Sequence, residues 1–119
     1  MTRKVYYLST CDTCRRIMKE VGIDDSFEQQ DIKFNPVTAE QAEQFYKYTG
    51  SYEALINKRA RKLKAALEQH PVKEDADYKE LLLMDYTFLK RPVFEIENQL
   101  FIGNAAKTVE AIKEALSKK

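Results

Sequence analysis

The apolar positions of the first third of the chain switch between two periods. "KVYYL", residues 4–8, is short and rich in valine and tyrosine, the composition of a β-strand. From residue 12 the spacing changes. Cys14, Ile17, Met18 and Val21 fall at i, i+3, i+4 and i+7, which predicts one buried face of a helix over 12–21, stopped by Gly22. "FEQQDI", 27–32, reads as a second and weaker strand, so the chain opens strand, helix, strand, with a parallel pair.

The middle is helical in period. Thr38 and Gln41 form the sequence signature of a capping box, and Ala42, Phe45 and Tyr46 give the helix that follows an apolar stripe. Thr49-Gly50-Ser51 punctuates it. Between Tyr52 and Gln69, Ile56, Ala60, Leu63 and Leu67 share a helical face. "HPVKEDAD" (70–77) reads as a loop and "YKELLLM" (78–84) as a short helix. The last third returns to β character. "PVFEI" and "QLFIG", separated by "EN", predict an antiparallel hairpin. Asn104 is placed to cap a last helix with Val109, Ile112 and Leu116 on its buried face. The order β-α-β, helical insertion over about 35–90, β-β-α predicts an α/β fold. It is a thioredoxin-like mixed sheet with helices inserted between its two halves, residues 1–119 making a single domain.

Composition narrows the setting. In 119 residues, 33% are charged but the net charge is +1, which gives no case for a nucleic-acid or membrane surface. The five basic residues of "NKRARKLK" spread around Ile56, Ala60 and Leu63 as a solvated face would. "LLLM", 81–84, falls far short of the roughly 20 apolar residues of a membrane span. "MTRKVYYLST" has no apolar secretory core, so the expected location is the cytoplasm, where thiol pairs are held reduced.

That setting matters for Cys11 and Cys14, the only cysteines, in "STCDTCRR". Three readings compete: a redox pair, two inert buried thiols, or half of a zinc site. Zinc lacks obvious further ligands, since the single histidine, His70, precedes a proline in a polar loop. The placement favours redox chemistry. Cys11 stands where a strand hands over to a helix, so free N–H groups and the positive end of the helix dipole favour its thiolate. Arg15 and Arg16 add positive charge one turn on. Cys14 falls on the buried face, placed to resolve a mixed disulfide formed by Cys11. Asp12 acts both ways: its charge raises the Cys11 pKa but supports the first turn of the helix, and the sequence leaves that pKa open.

"STCDTCRR", "ALINKRARK" and "LKRPVFEIENQLFIGN" occur in the order and spacing of the signature blocks of the arsenate reductase/Spx family, which the chain resembles over nearly its whole length. The resemblance implies a glutaredoxin-like fold with a helical insertion and makes Pro92 the cis-proline facing the active cysteine. It matches Cys11 to the cysteine that attacks arsenate, Arg15 to the arginine close behind it, and Arg59 and Arg91 to arginines that bind the oxyanion. Guanidinium forks and helix N–H groups suit such a dianion. Glutathione, glutaredoxin or thioredoxin is the implied reductant, with no bound cofactor or metal. The sequence departs from the reductase pattern twice: Cys14 stands where those enzymes carry serine, and "FIGNAAK" lacks a further arginine. The CxxC is similar to that of Spx, a redox switch that binds the C-terminal domain of the RNA polymerase α-subunit through a region holding a glycine, near which Gly50 lies. A glycine there also ends a helix without further purpose. Two functions stay open: a reductase of arsenate or thiol/disulfide partners, and a redox-sensing transcriptional regulator.

Overall fold

The valine and tyrosines of the first strand build the middle of a sheet. The computed structural model describes residues 3–117. In chain order its elements are β1 (Arg3–Tyr7), α1 (Asp12–Val21), β2 (Glu28–Asp31), α2 (Ala39–Thr49), α3 (Leu63–Gln69), α4 (Ala76–Met84), β3 (Val93–Ile96), β4 (Gln99–Ile102) and α5 (Ala106–Ser117), with 3-10 turns at Glu53–Leu55 and Tyr86–Phe88. The strands form one sheet in the order β2-β1-β3-β4. β1 runs parallel to β2, with Tyr7 opposite Asp31, and antiparallel to β3, with Tyr6 opposite Val93. β3 and β4 form the expected hairpin. This is the mixed α/β, thioredoxin-like architecture that the order of apolar periods predicts. The chain divides into two compact units: Met1–Asn35 with Arg91–Lys119, and Pro36–Lys90.

The first unit is held by one apolar cluster. Val5, Phe94 and Ile96 of the sheet bury against Ile17 of α1 and Val109 and Ile112 of α5, with Phe27 beside them. The Phe27 ring meets Phe94 edge-on at 6.1 Å. α1 ends where the sequence says: Gly22 takes φ +77°, and the terminal N–H groups return to Lys19 and Met18 carbonyls. Lys113 of α5 reaches Glu20 of α1 at 2.8 Å. The hairpin turn is the two residues Glu97 and Asn98. Both take positive φ, and Gln99 pairs with Ile96. α5 starts at Ala106, one residue beyond the position Asn104 would cap.

In the second unit the Thr38–Gln41 capping box forms with both hydrogen bonds at 3.1 Å. Gly50 ends α2 at φ +70°, its N–H donating to the Tyr46 carbonyl at 2.8 Å. Tyr46 does not join the apolar stripe: it is exposed and stacks on Tyr52 at 4.6 Å. The single helix expected between Tyr52 and Gln69 is interrupted. Ile56 pairs with Leu89 in an isolated bridge, flanked by Asn57 N–H donating to the Phe88 carbonyl and Lys90 N–H donating to the Leu55 carbonyl. Pairing with a segment some thirty residues on outweighs helical period here, and the helix resumes only at Leu63. α4 begins at Ala76, inside the expected loop. Asp75 just before it accepts from Tyr52 and Glu53 N–H groups and the Ser51 hydroxyl. No helix of the described residues is long and apolar enough to cross a membrane.

Candidate active site

β1 delivers the chain to Leu8, and the next three residues turn it into α1. The turn closes when Cys11 N–H donates to the Leu8 carbonyl at 3.0 Å. Cys11 then occupies the N-cap with extended backbone, φ −98° and ψ 111°. Its sulfur makes no hydrogen bond of standard capping geometry, yet the N–H groups of Cys14 and Thr13 bear on it. A thiol is a poor cap, whereas its anion is drawn to such a terminus. Cys11 is half-buried and Cys14 fully buried, and both are free thiols.

The two thiols differ in acidity for stated causes. Burial pushes Cys11 up. It is outweighed by the Cys14 backbone N–H, the Cys14 thiol hydrogen bond, the positive charge of Arg91 and the Thr13 N–H, so the net value lies below that of an ordinary thiol. For Cys14, burial dominates, opposed by the Leu8 backbone; the Cys11 charge and hydrogen bond add to it, and the Cys14 thiol is pushed up to about 12. The proton therefore sits on Cys14, whose thiol donates to the Cys11 sulfur.

Arg91 and Pro92 lie at the opening of β3. Continuing the β1–β3 register past Tyr6–Val93 brings Pro92 opposite Tyr7 and Arg91 opposite Leu8, the end of β1 that leads to Cys11. The Arg91–Pro92 peptide is cis, Pro92 is buried, and its carbonyl accepts from Gly103 N–H at 2.9 Å. The Arg91 charge acts on both thiols.

Arg15 and Arg59 are placed differently. The Arg15 guanidinium is bonded to the Asp12 carboxylate in the first turn of α1, and Arg16 turns to Glu20 at 3.7 Å. The charge that favours the Cys11 anion is thus that of Arg91, and the expected contribution of Arg15 and Arg16 gives way to pairing within their own helix. Arg59 belongs to the second unit, exposed in a turn where its N–H donates to the Asn57 side chain at 3.2 Å. His70 is exposed at the end of α3, and among the described residues no three histidine, cysteine or acidic side chains converge as metal ligands would.

One residue at the site escaped sequence reasoning. Asp31, at the end of β2, accepts from Ser9 N–H at 3.3 Å and Lys33 N–H at 3.1 Å. It ties the loop before Cys11 to the neighbouring strand. Burial raises its pKa, but the hydrogen bond from the Ser9 side chain, then the Lys33 and Ser9 N–H groups, hold it below the usual carboxylate range. The signal available was an aspartate ending a strand, where its side chain bonds the backbone two residues on.

A family model, the ArsC family, matches residues 6–112. No curated protein sequence matches the chain. Among solved structures, an arsenate reductase (ArsC) related protein from Brucella melitensis is 26% identical, with 93% of each chain covered and a TM-score of 0.65. A protein named YffB is 23% identical, over 97% of this chain and 99% of its own, at a TM-score of 0.79. An arsenate reductase from Vibrio cholerae shares the fold at 15% identity, over 97% and 98%, with a TM-score of 0.71.

Proposed function

Because the chain belongs to the ArsC family, we propose that it is a thiol-based reductase in which Cys11 attacks an oxidised substrate and Cys14 resolves the intermediate. The observation that carries the reading is the split between two hydrogen-bonded thiols one helical turn apart: Cys11 favoured as anion, Cys14 held as thiol, with the Arg91 charge acting on both. A nucleophile poised as thiolate beside a protonated partner is the asymmetry that two-step thiol exchange requires.

With a disulfide substrate, the Cys11 thiolate attacks one sulfur, and the other leaves as a thiolate that takes a proton. Cys14 then loses its proton and attacks Cys11 sulfur. The substrate's second thiol departs, and a Cys11–Cys14 disulfide remains. With arsenate, Cys11 attacks arsenic with loss of water. Attack of Cys14 on the Cys11 sulfur leaves the bonding pair on arsenic, releasing arsenite. Each route removes two electrons and two protons from the protein, and a thiol reductant such as glutathione, glutaredoxin or thioredoxin restores them. Arg91, and Arg15 and Arg59 when drawn to an anion, are the substrate-binding residues of this reading, with Pro92 walling the sulfur. In this reading residues 1–119 are a single thioredoxin-like domain with a helical insertion over about 35–90.

Gly50, the residue that would tie the chain to a polymerase-binding regulator, is accounted for by ending α2 in a left-handed conformation. No observation favours that second reading.

The test is to expose the reduced protein to a small disulfide and, separately, to arsenate, and to weigh the product. The expected result is loss of two hydrogens as Cys11–Cys14 closes, abolished by Cys11→Ser and replaced by a trapped mixed disulfide in Cys14→Ser. Undiminished turnover by Cys11→Ser refutes the assignment.

A further inference from the structure

Beside Cys11 stands an ion pair that already engages one of the substrate-binding arginines named above. Asp12 and Arg15 face each other across the first turn of α1, Arg15 Nη2 bonded to Asp12 Oδ1. Their side chains are 91% and 61% exposed, so the pair stands in solvent. Asp12 directly follows Cys11 in the chain. Arg16, the next cation along α1, is matched to Glu20 at 3.7 Å. The guanidinium that acts on the thiols comes from another element, at the opening of β3. The two guanidinium groups that α1 offers close behind Cys11 are thus each met by a carboxylate of the same helix.

We infer that Asp12 is a specificity-determining residue of the Cys11 site: by holding Arg15 it withholds that guanidinium from an incoming anion, and the site favours neutral oxidised thiols, the disulfides of peptides or proteins, over small dianionic oxyanions. This rests on the reading of Cys11 as the attacking thiolate. An oxyanion approaching the sulfur meets the Asp12 charge and must displace Asp12 before it can use Arg15. A disulfide carries no net charge at its sulfurs and meets neither obstacle. Both groups are solvated, so the bias is graded and shrinks as salt rises.

The test compares the alkylation rates of Cys11 by iodoacetate, an anion, and iodoacetamide, its neutral analogue. The reduced full chain is used at low ionic strength, at a pH where Cys11 is fully ionised in every variant, with modification located by mass. The ratio of the rates reads the field at the sulfur and not its basicity. Asp12→Asn is expected to raise the ratio about two- to threefold, the size of an exposed unit-charge effect. Adding Arg15→Gln to Asp12→Asn is expected to bring it back to the wild-type value, and arsenate should protect Cys11 at lower concentration in Asp12→Asn than in wild type. Asp12→Ser serves in place of Asn if the first turn unfolds. A ratio unmoved by Asp12→Asn overturns the inference, and so does a rise that survives loss of Arg15, since the gain then owes nothing to a released guanidinium. A Cys11 no more reactive at neutral pH than a thiol in the unfolded chain sinks the thiolate reading itself, a result that the ratio does not mimic.

Discussion

The Cys14 thiol is a hydrogen-bond donor to the Cys11 sulfur one turn before it, and the acidities of the two move in opposite directions. Each shift partly causes the other. The donor favours the Cys11 anion, and the anion disfavours ionisation of the donor. Cys14→Ala removes the donor, so the Cys11 pKa should rise. A pH profile of iodoacetamide modification, compared with wild type, checks it.

Arg91 is the cation that acts on this pair. Arg91→Gln should raise the Cys11 pKa and lower its alkylation rate at neutral pH. Arg91→Lys, which keeps the charge, should recover most of the loss. An unchanged profile in Arg91→Gln would assign the low value to the helix-terminal N–H groups and the Cys14 thiol.

Cys14 links acidity to stability. Its folded pKa lies above the reference value of 9.0, at about 12, so the folded state holds the proton more tightly than the unfolded state does. The resulting stabilisation is complete below the unfolded pKa and is lost as pH rises from there through the folded pKa. Denaturant midpoints of the reduced protein should therefore fall between about pH 9 and 12, less steeply in Cys14→Ala. Asp31 has the opposite sign. Its folded pKa is depressed, so its contribution is present above the reference 3.8 and is lost as pH falls through the folded value. Asp31→Ala removes the acceptor of the Ser9 and Lys33 N–H groups, which solvent partly replaces, and should cost about 0.5–1.5 kcal/mol, read by urea unfolding at neutral pH.

Gly50 separates a structural role from a regulatory one. At φ +70°, with open space around its α-carbon, Gly50→Ala meets backbone strain and no clash. It should cost about 1–2 kcal/mol of stability and leave Cys11 reactivity unchanged. Altered thiol reactivity in this variant would show Gly50 serving more than the end of α2.

Local chemistry was legible in the sequence where a short segment decides its own shape. The CxxC after a strand, the Thr38–Gln41 box and the glycine after Val21 each form as read, because propensity, capping and period agree. Ile56 shows the limit. Its helical spacing with Ala60 and Leu63 is real, but a backbone pairing with Leu89, invisible to any local window, outweighs it. The charges at the site divide in the same way. Arg15 follows Cys11 in sequence and so drew the expectation of acting on it, yet its nearest carboxylate, Asp12, takes it. The cation that does act on the thiols, Arg91, lies some eighty residues away in the chain, where only the "KRP" block of the family resemblance pointed. Asp31 was missed because its hydrogen bond to Ser9 depends on β1–β2 register, which composition does not reveal.

The central claim is met most directly by titrating thiolate absorbance near 240 nm in the reduced protein, alongside Cys11→Ser. The account predicts one thiol ionising below the reference value of 9.0, absent from Cys11→Ser, with the second still protonated well above it. Two thiols ionising together at or above that value, or a low inflection that survives Cys11→Ser, would contradict it.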